Sequence, residues 1–464
     1  MNKKVCVIGA GIGGLSTAAL LSKKGYNVDV FEKEKIIGGR SLSFDGNNLT
    51  LDNYRKTLSS FSMSAPFSIP SLDEIFNKNM LKGYTLDLGF HSIEGGTMSD
   101  VGRAVMDIGS KVEMLGTKLG LIQENDFIFP LISTKDKLRF LPNILRLVLS
   151  GESTMKNLDN VSIAETIEKY GKDKMKLILE LLPRVTTTVN DLGKISTGES
   201  FRASQSNLRR GSSPVGYPQG GLVSLSNVFA NELQKNNGKI HLGKKVKQII
   251  IDNGIASGII VNDKEHKFDI IISNILVQYL FNIASEKEFP SKYVKNLKSL
   301  EGTGSLCAYY SFNHIDSKLI GKSFLFIERD IGVDGKDAVG MIEFVTALPE
   351  ARISPSSKYL VQSYIICTPA EARSKRMLEK LREILDRNLE ILIPEFHSKI
   401  NWAIYPAVWH LDGVAKTIDN IKPDIKTPVE NLFLVGDCVK APGIGINCAA
   451  KSARLLEDLL DISL

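Results

Sequence analysis

The alternation of apolar and polar positions is clearest in the first 32 residues. Residues 4–8 form a short apolar run that is typical of a buried strand. The apolar spacing from about Gly13 to Lys24 predicts a helix, which Gly25 ends. Asn27 to Glu32 alternates and predicts a second strand. A strand, a helix and a second strand in this order are typical of a dinucleotide-binding half-fold.

The next 200 residues have a weaker period. Residues 46–81 are rich in Ser, Asn and Phe, which predicts a loop or short-helix excursion. Residues 100–195 are predicted to be mostly helical. Residues 200–218 contain two glycines and two prolines and predict a surface connection, whereas Gly220 to Asn237 predicts a helix.

Short strands dominate the second half of the chain. Four of them suggest a β-meander, at residues 239–242, 246–252, 256–261 and 267–272. Several strands between residues 304 and 367 indicate one antiparallel sheet, and residues 373–392 a long amphipathic helix. An apolar strand at 431–435 and a helix from about Ile446 to Leu460 are the last predicted elements.

Composition narrows the classes of protein to consider. The 464 residues are too many for one hydrophobic core and predict two domains. The net charge of +6 permits contact with an anionic membrane surface, but no Lys/Arg block is long enough to indicate nucleic-acid binding. No uninterrupted apolar run in the sequence is long enough to predict a membrane span. Five cysteines without a Cys-x-x-Cys pair argue against disulfides or a metal site and favour a reducing, cytoplasmic compartment.

The most specific motif is Gly9-x-Gly11-x-x-Gly14. The first glycine permits a tight turn, the second lets the backbone approach a pyrophosphate, and the third lets helix and strand pack closely. The motif follows a predicted strand and opens a predicted helix, whose positive N-terminus would face the phosphates. Glu32 ends the next strand and would accept hydrogen bonds from the adenosine ribose.

Further motifs resemble the amine-oxidase-like superfamily of FAD enzymes, and within it the phytoene desaturase, carotenoid isomerase and retinol saturase group. The resemblance covers the whole chain and lies in the stretches 5–15, Glu32 with Gly38-Gly39-Arg40, Gly83 to His91, Tyr217 to Gly221 and Leu434 to Asp437. It implies FAD as the cofactor. Arg40 and Asp87 are 47 residues apart, further than is usual in the family, and the extra chain is expected to be a lid, a membrane-contact loop or a partner site.

The resemblance also assigns cofactor-binding residues. Gly39 and Arg40 would lie along the pyrophosphate and ribityl chain, and the backbone of Val246 would contact adenine. Gly436 and Asp437 would bind the ribityl or pyrophosphate oxygens. The helix after Ile446 would point its N-terminus at the flavin pyrimidine edge, where a positive dipole stabilises the anionic reduced flavin. The complete predicted set is Gly9, Gly11, Gly13, Gly14, Glu32, Gly39, Arg40, Val246, Gly436, Asp437 and Ile446.

His91 is the candidate catalytic residue. The resemblance places the glycine-containing strand end at Asp87 to His91 against the flavin, where a histidine would move a proton or orient substrate. A structural histidine that bonds Ser92 or Glu94 is the alternative, and both interpretations stay open.

Two other groups are candidates for the substrate cavity. Trp402, Tyr405 and Trp409 would either wall a cavity beside the flavin or form a core aromatic cluster. Cys438 follows Asp437, but we do not expect a covalent flavin tether there.

Residues 138–149 form an apolar segment with Arg139 and Arg146, and with Lys135 and Lys137 nearby. The segment is either an interfacial helix through which a lipid substrate enters from a bilayer, or a helix packed within the substrate domain. We expect the packed helix, because a two-domain protein has ample core to cover it.

The expected fold is α/β, with a Rossmann-type FAD-binding domain and an interleaved mixed α/β substrate domain. The FAD-binding domain is predicted to comprise residues 1–54, 82–98, 214–285 and 425–464. The substrate domain is predicted to comprise residues 99–213 and 286–424, with 55–81 as an inserted loop.

The predicted activity is hydride transfer between flavin N5 and an apolar polyene or isoprenoid-like substrate, in desaturation, saturation or isomerisation. The protein is expected to be cytoplasmic, with possible peripheral membrane contact. Two alternatives stay open: a flavin amine oxidase, and a non-catalytic prenyl-binding carrier of the GDP-dissociation-inhibitor type. In such a carrier the phosphate-contact glycines would be dispensable, yet all are present.

Overall fold

The computed structural model of this chain describes residues 3–89, 92–210 and 213–462. Its strands are β1 (Lys4–Ile8), β2 (Asn27–Phe31), β3 (Ser43–Asp45), β4 (Met63–Ile69), β5 (Thr85–Asp87), β6 (Ile93–Glu94), β7 (Met114–Ile122), β8 (Phe127–Ile128), β9 (Val215–Pro218), β10 (Lys239–His241), β11 (Val246–Asp252), β12 (Ile255–Val261), β13 (Lys264–Lys267), β14 (Ile270–Ser273), β15 (Gly304–Phe312), β16 (Lys322–Val333), β17 (Lys336–Glu343), β18 (Tyr359–Cys367), β19 (Ile400–Val408) and β20 (Leu432–Leu434). Its helices are α1 (Ile12–Lys23), α2 (Leu51–Ser60), α3 (Leu72–Asn77), α4 (Asp100–Asp107), α5 (Thr134–Leu149), α6 (Glu152–Asn157), α7 (Ile163–Tyr170), α8 (Asp173–Thr187), α9 (Thr197–Arg210), α10 (Val223–Lys235), α11 (Ser291–Ser299), α12 (Lys375–Leu392), α13 (Phe396–Lys399) and α14 (Gly445–Ile462).

A parallel sheet organises the N-terminal motif. Its strand order is β10-β2-β1-β14-β20, and every neighbouring pair is parallel. Helices α1, α4, α10 and α14 cover one face, and the small sheet β11-β12-β13 covers the other. Because both faces are covered, the strands are short apolar runs, as expected for parallel sheets. This sheet confirms the predicted Rossmann-type α/β fold.

A second, longer sheet has the strand order β4-β19-β15-β18-β17-β16-β7-β9-β6, with β8 paired to β7. One face packs on α12. The opposite face, which we call the inner face, packs against β3, β5 and α2. The inner face carries the apolar and aromatic side chains of Tyr309, Leu325, Met341, Tyr364 and Trp402. The antiparallel pairing of β15, β18, β17 and β16 confirms the sheet predicted for residues 304–367.

The description of residues 55–81 as an inserted loop is wrong. The segment contains most of α2, then β4 and α3, and β4 forms the edge of the long sheet by pairing antiparallel with β19. Pro66 within β4 hid the strand from sequence analysis, because proline interrupts a strand pattern yet is tolerated at a sheet edge. The domain boundaries themselves stay a prediction.

Other regions of the chain also differ from the secondary structure predicted for them. Residues 200–218 are not a surface connection, since α9 and β9 occupy most of them. The region of 100–195, predicted to be mostly helical, also contains β7. The nine-residue strand β19 holds Trp402 and Tyr405, and Trp409 directly follows it. Of the predicted meander, only the strands at 246–252 and 256–261 pair antiparallel, with β13 beside them, whereas β10 and β14 join the parallel sheet. The sheet that a strand joins depends on partners that are distant in the sequence, and the local pattern of residues does not reveal those partners.

Helix α5 is not packed on all sides, contrary to expectation. Phe140 is buried, whereas Leu138, Leu141, Leu145 and Leu149 are exposed by 46% or more. Within the described residues, no helix is both long and apolar enough to cross a bilayer.

The packing of the first turn yields a prediction for Gly14→Ser. A Cβ atom at Gly14 would lie 2.1 Å from the carbonyl oxygen of Gly9, and a backbone oxygen has no room to move aside. We expect the strain to cost roughly 1–3 kcal/mol and to lower the Tm and the flavin content of the purified protein. Gly151→Ser is the matched control, because a Cβ there meets nothing within 4 Å. Equal behaviour of the two variants would contradict this packing.

Candidate functional site

The glycine motif forms a tight turn between β1 and α1. Gly9 has φ +101° and donates its amide to the carbonyl of Phe31 at 2.8 Å. Gly11 precedes α1 and has no side chain to cap it, so the first amides of the helix are left for an anion. A Cβ at Gly13 would lie 2.5 Å from Oδ1 of Asn274 and 2.9 Å from Cα of Gly436. The ends of three parallel strands therefore converge at this turn.

Glu32 lies directly after β2 and is 6% exposed. Its Oε2 accepts a hydrogen bond from the amide of Ala10 at 2.7 Å, and its Oε1 accepts one from the amide of Glu34 at 2.9 Å. Burial raises the pKa of Glu32, and the two backbone donors oppose that rise. Each carboxylate oxygen keeps a second acceptor position, which fits a ribose diol.

The predicted Gly38-Gly39-Arg40 motif lies along the same turn. Gly38 has φ +112° and donates its amide to the carbonyl of Ala10 at 2.8 Å. A Cβ at Gly39 would lie 3.1 Å from Cα of Gly11. The two glycine motifs thus form one backbone cradle, as a pyrophosphate requires.

Arg40 and Asp437, which are 397 residues apart, form a part-buried ion pair of 2.6 Å. Arg40 also donates to the carbonyls of His410 and Leu411 at 3.0 and 3.1 Å, and Asp437 accepts the amide of Gly413 at 2.7 Å. Burial alone would raise the pKa of Asp437, but the charge of Arg40 and these hydrogen bonds hold it below its usual value. The resemblance assigns both residues to the cofactor but does not predict that they bind each other.

The start of α14, the second helix terminus predicted to face the cofactor, lies close to the glycine turn. Gly436 has φ +113° and donates its amide to Oγ of Ser452, within α14. Ile446 is buried in the first turn of that helix. A Cβ at Gly445 would lie 3.1 Å from Oδ1 of Asp412, so this carboxyl faces the start of α14.

Sequence analysis missed Asp412 and Asn274. Asp412 is buried and accepts a hydrogen bond from the hydroxyl of Thr188 at 2.8 Å. Burial and the neighbouring charge of Asp437 raise its pKa. Asn274 follows β14, and its side chain donates to the carbonyl of Gly9 at 3.4 Å. For Asn274 the available signal was a polar residue directly after the apolar strand β14. Asp412 lies four residues beyond the end of β19 and carried no such signal.

The remaining predicted residues differ in what the structure shows of them. Val246 is buried in the cluster that contains Ile8 and Phe31, on the cofactor-domain side. His91 lies outside the described residues. Burial raises the pKa of the Cys438 thiol, so it is kept as the thiol rather than the reactive thiolate.

The aromatic residues around 402 do not share one wall. Trp402 is on the inner face of the long sheet, whereas Tyr405 packs on the opposite face with Tyr310. Trp409 packs on the side of Tyr405 and donates its Nε1 to the carbonyl of Ala372 at 3.0 Å. The core interpretation of these residues therefore fits the structure.

Asp87 connects the inner face of the long sheet to the start of α10, which packs on the parallel sheet. Its carboxylate accepts hydrogen bonds from the hydroxyls of Ser43 and Tyr217 at 2.6 and 2.5 Å and from the amide of Leu222 at 3.0 Å. Its carbonyl accepts the hydroxyl of Tyr309 at 2.6 Å. The resemblance motifs at 83–91 and 217–221 therefore meet at one buried carboxylate.

Glu343 is a second buried carboxyl that sequence analysis missed. It ends β17, opposite Ser323 on β16 and Gln362 on β18, and is 0% exposed. Burial raises its pKa to about 7, and the hydroxyls of Ser92 and Ser323 oppose this only in part. Ser92 follows, along the chain, the segment Asp87 to His91 that the resemblance assigns to the flavin.

The ion pair generates a prediction for Arg40→Ala. Removing one partner leaves Asp437 as an uncompensated buried charge, at a cost of roughly 3–5 kcal/mol. We expect a lower Tm and loss of bound flavin, measured as absorbance per chain. The control is Arg55→Ala, whose partner Asp73 is 3.5 Å away with a side chain that is 68% exposed. If Arg40→Ala behaved like this control, the pair would have no structural role.

Comparisons with known proteins agree on one family. The family model of flavin-containing amine oxidoreductases matches residues 12–455. A phytoene desaturase from Fusarium fujikuroi is 29% identical over 327 residues, which are 67% of this chain and 55% of that protein. A 1-hydroxycarotenoid 3,4-desaturase from Flavobacterium sp. (strain P99-3) is 23% identical over 511 residues, covering 99% of each chain.

The fold has a close match among solved structures. An oxidoreductase from Methanosarcina mazei superposes with a TM-score of 0.71 at 23% identity, covering 98% of this chain and 100% of that one. The converging glycine turns, the buried Glu32 and the dipoles of two helix termini fit a flavin dinucleotide. The chain belongs to the flavin-containing amine oxidoreductases, and its cofactor is FAD.

Proposed function

We propose that this FAD-dependent oxidoreductase acts on an apolar polyene or isoprenoid-like substrate. The observation that carries the proposal is the chemistry of the inner face, where Leu325, Met341 and Tyr364 lie among other apolar side chains. A cavity bounded by such side chains would favour an apolar chain over a polar one. The names of the two desaturase relatives support the same class of substrate.

The two buried carboxyls of this region do not favour an amine substrate. Both oxygens of Asp87 are already bound by protein donors. Burial keeps Glu343 partly protonated near neutral pH. Neither group therefore offers a free carboxylate that would compensate a buried ammonium ion.

In this proposal the residues of the cradle hold FAD. Glu32 would bind the adenosine ribose, the amides at the start of α1 the pyrophosphate, and Arg40 with Asp437 the neighbouring ribityl region. Ile446 marks the terminus of α14 that would face the flavin ring. The bound flavin supplies hydride acceptance or donation at N5.

The inner face would orient the substrate and exclude water. Glu343 would hold or accept the proton that the substrate releases when a hydride leaves it, since a carboxyl with a pKa near the working pH is suited to either step. His91 stays a second candidate for the same task.

The substrate class is tested by anaerobic mixing of the purified holoprotein with one polyene and one amine. We expect phytoene in detergent micelles to bleach the visible absorbance of the oxidised flavin, or lycopene to reoxidise a chemically reduced flavin. Putrescine is expected to change neither spectrum. Bleaching by putrescine but by no isoprenoid would favour the amine oxidase, and a colourless protein that binds prenylated peptides would favour the carrier.

The role of Glu343 is tested with Glu343→Gln. If its carboxylate accepts the proton, flavin reduction accelerates as pH rises through about 7, and the variant loses this dependence. Exposed Glu350→Gln is the control and keeps the wild-type profile. An unchanged profile in Glu343→Gln would exclude the proposed role.

Stability gives an independent readout of the same group. Its folded pKa of about 7 exceeds the ordinary 4.5, so its contribution is present below pH 4.5 and is lost as pH rises through about 7. The shift corresponds to roughly 3 kcal/mol. Between pH 5 and 8 we therefore expect the Tm of Glu343→Gln to fall less than that of the wild type.

A further inference from the structure

Helix α5 presents a continuous apolar stripe to solvent. Its four exposed leucines are Leu138, Leu141, Leu145 and Leu149, with exposures of 68%, 46%, 50% and 79%. Their spacing of three to four residues places them on one side of the helix, over roughly 16 Å at 1.5 Å per residue. Exposed apolar patches of this kind mark interaction sites.

The opposite side of α5 fixes the helix to the protein. Phe140 is buried there. At the N-terminal end, Ser133 and Asp136 form a capping box, and Asp136 also binds Lys174 at 2.5 Å. At the C-terminal end, Arg209 donates to the carbonyl of Val148 at 2.7 Å. The helix is therefore held with its leucines turned outward.

Basic residues flank the leucines on both sides. At 100° per residue, Lys135, Arg139 and Arg146 lie along one edge of the stripe and Lys137 along the other. All four side chains are exposed, and Arg139 is paired with Asp173 at 2.8 Å, so Lys135, Lys137 and Arg146 carry the positive charge of the two edges. The one acidic residue of the helix, Asp136, is turned inward and neutralised by Lys174. The stripe thus combines apolar surface with positive edges.

We infer that α5 docks on the surface of an anionic phospholipid bilayer, lying in the plane of the headgroups. The leucines would enter the acyl boundary while Lys135, Lys137 and Arg146 contact lipid phosphates. The inference goes beyond the proposed function and does not depend on it. An enzyme for an apolar substrate would nevertheless gain a source of that substrate.

A bilayer fits this face better than a second copy of the chain does. Two copies meeting through the leucines would bring the positive edges of both helices together, which is repulsive. An anionic bilayer instead satisfies the stripe and both edges at once. Charge complementarity therefore favours an anionic bilayer over a second copy of the chain as the partner of α5.

The test measures cosedimentation of the holoprotein with vesicles of phosphatidylcholine alone or mixed with phosphatidylserine. We expect binding to the mixed vesicles, weakened by added salt because the basic edges contribute. Replacing the four stripe leucines by serine is expected to reduce the binding constant at least tenfold. Flavin content and circular dichroism, both expected to be unchanged, show that the variant is folded.

Two further variants separate the contributions. Leu242→Ser with Ile421→Ser removes exposed apolar side chains elsewhere, of 40% and 69% exposure, and is expected to bind like the wild type. Lys135→Glu with Lys137→Glu and Arg146→Glu is expected to lose preference for phosphatidylserine. Equal binding by the four-serine variant would overturn the inference. So would leucine-dependent dimerisation without vesicle binding, or leucine-dependent capture of an acidic protein only.

Discussion

The fold depends on the close approach of three backbone segments around Gly13. The turn after β1, Asn274 after β14 and Gly436 after β20 meet there with no space for a side chain. This contact fixes the ends of three neighbouring parallel strands at one point, where the first amides of α1 are also left without a side-chain cap. The same packing that brings the three strand ends together therefore also leaves helix amides free to bind phosphate.

The Arg40–Asp437 pair extends this constraint across the chain. It ties the loop after β2 to the loop after β20 and, through carbonyls at 410 and 411, to the end of the long sheet. Asp87 makes a similar connection through Tyr217 and Tyr309. Both are buried carboxylates whose donors come from distant segments, so the cofactor domain and the inner face are positioned relative to each other by polar contacts as well as by apolar packing.

The residues of the glycine cradle could be predicted from the sequence because their signals are local. The spacing of Gly9, Gly11 and Gly14, and Glu32 at a strand end, each follow from backbone geometry within a few residues. Prediction from the sequence failed where the decisive partner is remote. The edge strand β4 needed β19 to be recognised, and Pro66 masked it. Glu343 lay unnoticed in an apolar strand, because only its neighbours across the sheet show that the carboxyl is buried. The exposure of the α5 leucines likewise depends on what the rest of the chain leaves uncovered.

The central claim is that the glycine cradle and the inner face together form one flavin site. A crystal structure of the purified holoprotein tests it most directly. We expect the adenosine ribose hydroxyls within hydrogen-bond distance, about 3 Å, of the Glu32 carboxylate. We also expect the isoalloxazine ring between the terminus of α14 and the inner face near Glu343. A flavin bound with its ring directed away from that face, or a ribose out of reach of Glu32, would show that the cradle and the inner face do not form one site.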